Sequence, residues 1–175
     1  GDLLRELNQF GLAQQVYELL VRDFPQHRGV LAAELALADS HRAQAAADPA
    51  RLESAIAGYE RLQDLSSASV DLRLESGFKH GFALLQAGRA DRAQQVWWPA
   101  ASIYLQADAD SPGRLGPRGR HWLARMLFEL GVLHEQHGRL EQARDMFELI
   151  LRRGLPHAEA ARAAFLRVGG NSGTP

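Results

Sequence analysis

The sequence predicts an all-α protein built from packed helix pairs, and three observations lead to that prediction. The chain has 175 residues, of which 46% are hydrophobic, so it is able to bury a core. Apolar residues recur with the period of an α-helix, and no stretch alternates apolar and polar residues as a β-strand does. A small residue followed four positions later by an aromatic residue recurs along the chain.

Composition excludes several classes of function. The chain has no cysteine, which excludes disulfides, thiolate nucleophiles and cysteine-based metal sites. A formal net charge of −1 gives no global field that attracts nucleic acid, so we expect no nucleic-acid partner. No apolar run approaches the roughly 20 residues that a membrane-spanning helix needs, so we expect no direct membrane insertion.

The recurring small–aromatic pairs define four of the predicted helices. Positions i and i+4 lie on one helix face, where the alanine admits a neighbouring helix and the aromatic ring fills the space beside it. Pro25 and Pro156 follow the first and the fourth of these helices, where a helix has to end. The pairs are Ala13 with Tyr17, Ala55 with Tyr59, Ala93 with Trp97, and Ala143 with Phe147.

The helices that alternate with these four share a small residue near their middle. Ala38, Gly81 and Gly131 hold this position, where they would let two helices cross closely. Gly88 and Gly138 lie between the helices of a pair, where a tight turn often requires a positive φ. With a short helix at each end, the complete prediction is helices near 2–8, 11–24, 28–46, 49–64, 70–87, 90–106, 119–137, 140–153 and 157–167.

Two stretches interrupt the regular spacing of these motifs. The first is Asp48-Pro49, which predicts a turn or a helix start. The second is 107–120, whose prolines, glycines and aspartates predict a loop insertion without a helix through its middle. Two interpretations of its arginines stay open: a loop that grips an acidic peptide, phosphate or lipid headgroup, or a solvated surface loop. The arginines are Arg114, Arg118 and Arg120.

These motifs resemble the tetratricopeptide repeat family, whose units carry a small residue in the first helix, a small residue and an aromatic in the second, and a final proline. The stretch from Leu127 to Pro156 is the clearest copy, and the resemblance covers nearly the whole chain. It implies a right-handed superhelix, or α-solenoid, of antiparallel helix pairs over residues 1–168. The small, polar, turn-forming residues at 169–175 predict a flexible tail. About four units are expected, the first of them incomplete.

Members of this family usually bind extended or helical peptides on a concave face that is lined by the first helix of each unit. The phenylalanines expected there, with arginines beside them, would suit an apolar segment with an acidic neighbour. The alternative is that they only pack between units. Lysine and asparagine, which chaperone-binding members place on this face, are missing from it here, so that subtype is not expected. Register with the motifs places on this face Leu35, Asp39, Arg42, Glu75, Phe78, Phe82, Gln86, Arg125, Phe128, Val132 and Gln136.

No group of residues in the sequence points to catalysis, a metal site or a cofactor. Phosphate-loop, nucleophile-elbow and dinucleotide-binding motifs do not occur. His134 and His137 lie three apart on one predicted helix, with His121 earlier in the chain, but no further ligand is evident, so we expect structural or surface roles. Trp97 is expected in the core, and Trp98 is the better candidate for an exposed contact.

The expected function is that of a non-catalytic scaffold that binds a protein or peptide partner. Both ends of the chain look like cuts within a longer protein, and the style of the units is similar to repeat proteins of Gram-negative envelopes. This favours a segment of a larger bacterial protein in the periplasm. One alternative is a regulatory or substrate-presenting module of a multidomain enzyme or regulator. Another is self-association through repeat stacking, which would produce a homo-oligomer.

Overall fold

The computed structural model describes residues 1–110 and 115–171, and within these ranges the chain is helical and forms no strand. The all-α prediction is therefore confirmed. The helices of the described residues are α1 (Asp2–Glu6), α2 (Phe10–Asp23), α3 (Val30–Gln44), α4 (Ala50–Asp64), α5 (Val70–Gln86), α6 (Ala90–Asp110), α7 (Pro117–Gln136), α8 (Leu140–Arg152) and α9 (Ala158–Asn171).

The helices form two compact units along the chain. The first unit, Gly1–Arg89, contains α1 to α5, and the second, Ala90–Pro175, contains α6 to α9. Within each unit, helices that follow one another in the sequence pack against each other. Each helix therefore buries its apolar face against its own neighbours in the chain.

The predicted alanine–aromatic pairs lie in the cores of these units. None of the eight residues exposes more than 5% of its surface, and seven of them expose none. The one that exposes 5% is Tyr17, whose hydroxyl donates a hydrogen bond to Asp2 of α1. Their burial confirms the helix faces that the sequence predicts.

The second unit shows why the middle of a helix needs a glycine. Gly131 of α7 faces Phe147 of α8, and a Cβ atom added to the glycine would lie 2.5 Å from Cε1 of the ring. Arg120, near the beginning of α7, donates a hydrogen bond of 2.8 Å to the carbonyl of Gly154, just beyond the end of α8. The two helices thus run in opposite directions and cross at a contact that a larger residue would block.

The turns between helices follow the predicted glycine pattern. Gly88 has a φ of +74° and Gly138 has a φ of +71°, so both occupy the left-handed region that the sequence predicts for them. The Asp48-Pro49 turn is also confirmed, because the Asp48 carboxylate accepts a hydrogen bond of 3.1 Å from the backbone N–H of Ala50 at the beginning of α4.

Three predicted boundaries are wrong. The loop predicted at 107–120 is wrong at both ends, because 107–110 belong to α6 and α7 begins at Pro117. Residues 111–114 lie outside the described residues. Proline is well tolerated at the first position of a helix, where its missing N–H has no partner to lose. The start of the tail predicted at 169–175 is also wrong, because α9 continues to Asn171; residues 172–175 lie outside the described residues. Val168 of α9 is buried, and a glycine costs only about 1 kcal/mol in a helix, so the two glycines after it do not end the helix.

Candidate functional site

The second unit contains a small pocket between α7 and the beginning of α9, which we name the α7–α9 pocket. Its volume is about 120 Å³. Arg125, Phe128 and Glu129 line it from α7, where the spacing i, i+3, i+4 places them on one face. His157 and Ala160 line it from the opposite side. Arg125 and Phe128 are thus two predicted concave-face residues that the structure brings together.

Aromatic packing holds the first side of the pocket in place. The ring of Phe128 packs against the buried ring of Phe147, with the two centroids 5.4 Å apart. The guanidinium carbon of Arg125 lies 5.5 Å above the centre of the Trp122 ring, which is a cation–π distance. Phe128 therefore provides an apolar wall, and Arg125 provides a cation whose position is fixed by an aromatic face.

Glu129 brings the opposite charge into the same pocket. Burial raises the pKa of Glu129, and the nearby charge of Arg125 acts in the opposite direction. A raised pKa means that the carboxylate is poorly solvated, so a hydrogen-bond donor or a cation from a binding partner would stabilise it. The pocket therefore offers one apolar wall and one group of each charge.

His157 of the pocket contacts a second histidine. Nε2 of His157 lies 3.2 Å from Nδ1 of His121, which is a hydrogen-bond distance. His121 also packs edge-on against Trp122, with centroids 5.0 Å apart. Among the residues whose side chains are described, no group of three or more histidine, aspartate or glutamate residues is arranged to hold a metal ion.

Two predicted residues of the first unit, Asp39 of α3 and Glu75 of α5, belong to one cluster of charged residues. The Asp39 carboxylate accepts hydrogen bonds from the Tyr59 hydroxyl at 2.7 Å, from Lys79 Nζ at 2.7 Å and from Arg5 at 3.3 Å. Lys79 is also 2.8 Å from the carboxylate of Glu75. We name these five residues the Asp39 cluster; it connects four helices, and its charges mainly bind one another.

Three residues predicted on an exposed face are in fact buried. Leu35 and Glu75 each expose 5% of their surface, and Phe78 exposes 3%. Phe82 is 36% exposed, stacks on Phe78 with centroids 6.0 Å apart, and has the Arg42 guanidinium 5.7 Å from its ring centre. The structure therefore leaves Phe82 and Arg42 as the aromatic–cation surface of this unit.

The remaining predicted residues do not line the α7–α9 pocket. Gln86 and Gln136 are exposed at the last positions of α5 and α7, and Val132 is half-buried on α7. Two of the arginines assigned to a loop lie instead in the first turn of α7, which corrects that assignment. Arg118 is exposed there, and Arg120 hydrogen-bonds the carbonyls that follow α8. Arg114 lies outside the described residues.

Two histidines near the end of α7 and two tryptophans of α6 lie where the sequence predicts. His134 is 9% exposed within α7, and Nδ1 of His137 lies 2.6 Å from the Leu133 carbonyl oxygen. Trp97 has no exposed surface, whereas Trp98 is 45% exposed. Trp98 is therefore the tryptophan of this pair that a partner could contact.

Three members of the α7–α9 pocket were missed at the sequence level. Glu129 follows Arg125 by one helical turn, so its place on the same face could have been read from the spacing. His157 directly precedes α9 and Ala160 lies in its first turn. No local pattern in the sequence indicates that these two residues face α7.

Comparison with known proteins does not assign this chain to a family. No protein-family model matches the chain, and no curated protein matches it as a relative. Among the described residues, no helix is both long enough and apolar enough to cross a membrane.

Proposed function

We propose that this protein is a non-catalytic interaction module that binds a peptide segment of a partner protein, with the α7–α9 pocket as the anchoring site. The observation that carries the proposal is the pocket itself: an apolar wall from Phe128 between the cation of Arg125 and the poorly solvated carboxylate of Glu129. Small pockets of this kind hold the anchor residues that dominate the affinity of protein interfaces.

The dimensions of the pocket define what the segment has to contain. A volume of about 120 Å³ suits one apolar side chain rather than a whole cofactor. Burying such a side chain contributes about 1.5–3 kcal/mol, which corresponds to roughly ten-fold to more than a hundred-fold in affinity. Arg125 favours an acidic residue beside that anchor, in agreement with the segment expected from the sequence.

The repeat architecture supports the same proposal. Buried alanine–aromatic pairs, a glycine at the α7–α8 crossing and left-handed glycines in the turns are features of helix-pair repeats. We therefore propose a solenoid of the tetratricopeptide type, in which the first helices of successive pairs present the binding residues. The resemblance also supports a place in a larger periplasmic scaffold.

The test is a selection of peptides by the whole chain. A random peptide library is panned against the protein, and the affinities of enriched peptides are measured by fluorescence anisotropy. We expect peptides with an apolar residue next to an acidic one. Arg125→Glu, which reverses the charge, and Ala160→Trp, which fills the pocket, should each weaken binding at least ten-fold.

A matched variant separates the pocket from general charge effects. Arg162→Glu makes the same charge change on the exposed surface of α9, so it should leave the affinity unchanged. Circular dichroism establishes that all variants fold. The proposal is wrong if no peptide is enriched, or if the enriched peptides bind the two pocket variants as tightly as the wild type.

Self-association is a second candidate, because α2 presents an apolar stripe. Leu12, Val16 and Leu19 follow the spacing i, i+4, i+7 and are 52%, 39% and 48% exposed. If two copies pair through this stripe, the mass measured by light scattering should rise with protein concentration, and Val16→Glu should prevent the rise. Ala57→Glu is the control, since it adds the same charge at an exposed position of α4, away from the stripe. A wild-type protein that stays monomeric at all concentrations contradicts this candidate.

A further inference from the structure

The second unit brings together two histidines that are far apart in the sequence, His121 of α7 and His157 in the turn before α9, which we name the histidine pair. Nε2 of His157 lies 3.2 Å from Nδ1 of His121, and the two ring centres are 5.0 Å apart. His157 is exposed and His121 is half-buried. A small ion can therefore reach the pair from the solvent.

The geometry of the histidine pair is close to that of two imidazoles on one tetrahedral ion. With metal–nitrogen distances of about 2.0–2.1 Å, two such nitrogens would lie about 3.3–3.4 Å apart. A ring nitrogen lies about 1.15 Å from its ring centre, so the two centres would be about 5.1–5.3 Å apart. A straight hydrogen bond of the observed length would instead place the centres about 5.5 Å apart. The observed separation of 5.0 Å shows that the rings are bent away from a straight line, as a shared ion requires.

The surrounding structure holds both rings in place. His121 packs edge-on against Trp122, with centroids 5.0 Å apart. The carbonyl of His157 accepts a hydrogen bond of 3.0 Å from the backbone N–H of Ala161, which fixes the start of α9. His157 has a φ of +66°, a conformation that glycine adopts at less cost and that Gly138 holds in an earlier turn. The turn thus carries an imidazole in a position where glycine would be less strained, and this imidazole faces His121.

From this geometry, we propose that the histidine pair binds a divalent transition-metal ion of the zinc type through Nδ1 of His121 and Nε2 of His157. Neutral imidazole nitrogens suit such ions, whereas Mg²⁺ and Ca²⁺ prefer oxygen ligands. In the hydrogen-bonded pair, one of the two facing nitrogens carries a proton. A neutral imidazole can hold that proton on its other nitrogen, which leaves both facing nitrogens free to bind the ion.

The ion would keep part of its coordination shell open. Among the residues whose side chains are described, no third histidine, aspartate or glutamate is arranged to complete the site. Two positions of a tetrahedral ion are therefore left for water or for a donor group from a bound molecule. Arg125 and Glu129, which line the α7–α9 pocket together with His157, carry opposite charges, so their formal charges give no net repulsion of a cation.

A bound ion would join α7 to the start of α9, so it should stabilise the second unit. An ion that binds the folded state and not the unfolded state raises the stability in proportion to the logarithm of its concentration above Kd. We therefore expect Zn²⁺ to raise the melting temperature of this unit, measured by tryptophan fluorescence, and Mg²⁺ at the same concentration to leave it unchanged.

The test is a titration of the whole chain with zinc chloride, followed by calorimetry and by the ring-nitrogen signals of the histidines in NMR. We expect saturable binding with shifts at His121 and His157. His157→Gly and His121→Phe should each weaken zinc binding at least ten-fold. Glycine accepts the positive φ without strain, and phenylalanine keeps a ring against Trp122, so both variants should remain folded by circular dichroism.

His137→Ala is the matched control, because it removes an exposed histidine of the same helix that lies outside the pair, and it should bind zinc as the wild type does. The proposal is overturned if zinc gives no saturable binding, if Mg²⁺ binds as tightly as zinc, or if His157→Gly binds zinc as tightly as the wild type. It is also overturned if His137→Ala weakens binding as much as His157→Gly does. The titration contains no peptide, so its outcome does not depend on the proposed peptide binding at the α7–α9 pocket.

Discussion

Replacing Gly131 by alanine tests the close crossing of α7 and α8. The added Cβ would lie 2.5 Å from Cε1 and 2.7 Å from Cζ of Phe147, whereas carbon atoms in contact are normally about 3.5–4.0 Å apart. The ring would have to move by about 1 Å. It cannot do so freely, because Phe147 is completely buried and packs against Phe128.

The expected magnitude is the balance of two opposing effects. Overpacking of this kind costs about 1–3 kcal/mol. Alanine in place of glycine within a helix recovers about 1 kcal/mol of helix propensity. Because the added Cβ would lie 2.5 Å from a completely buried ring, the overpacking cost lies in the upper part of its range. We therefore expect Gly131→Ala to lower the free energy of unfolding of the second unit by about 1–2 kcal/mol. A destabilisation of 1 kcal/mol corresponds to about 4–8 °C in Tm for a unit of this size.

Gly77→Ala is the matched control within α5. The nearest atom to an added Cβ there is Oε1 of Gln63 at 3.4 Å, an ordinary contact with a flexible side chain. The same chemical change should therefore stabilise the first unit by about 0.5–1 kcal/mol. Both variants replace a helical glycine by alanine, so helix propensity changes equally in the two. A difference in sign between their effects on stability therefore comes from the contact between Gly131 and Phe147.

Urea unfolding measures both effects, because the tryptophans allow the unfolding of the second unit to be followed separately. Trp97, Trp98 and Trp122 are the only tryptophans of the chain, and all three belong to the second unit. Tryptophan fluorescence therefore reports the second unit, and circular dichroism reports all helices. If Gly131→Ala is as stable as the wild type, the reasoning is refuted. Phe147→Leu, combined with Gly131→Ala, should be less destabilising than the sum of the two single changes.

Three further outcomes follow from the structure. Asp39→Ala should lower the free energy of unfolding by about 2–3 kcal/mol, measured by urea denaturation, because it leaves the charge of Lys79 with one partner fewer; a neutral result would contradict the Asp39 cluster. Gly138→Ala should cost about 1 kcal/mol in the same assay, because its φ of +71° disfavours a side chain. Burial, with the charges of Arg139 and His137, lowers the pKa of His134, so the folded state binds a proton less readily than the unfolded state. Stability should fall as the pH drops below about 6.5, and His134→Phe should make the melting temperature less dependent on pH in that range.

Local patterns in the sequence predict most of this fold. Ala143 and Phe147 lie on one helix face for purely geometric reasons, and Gly138 takes a positive φ because the turn requires one. Such features depend on residues a few positions apart, so they can be read before any tertiary contact is known. The predicted ends of the loop are wrong because composition shows where a helix is weakened and does not show where it starts.

The exposed surfaces could be predicted only in part, because they depend on partners that are distant in the chain. Lys79 meets Asp39 across 40 positions, and His157 meets His121 across 36. Phe78 and Phe82 lie four apart on one helix, yet the first is buried and the second is exposed. A register argument assigns both to the same face, and only the neighbouring helices decide which of the two remains accessible.

The position of Lys79 has a practical consequence for attaching this protein to other molecules. It is the only lysine in the chain, and its ammonium is held between two carboxylates with its side chain 16% exposed. An amine-reactive dye should therefore react slowly with this side chain as long as the protein stays folded. The rate of labelling at Lys79 would then measure how often the Asp39 cluster around it opens.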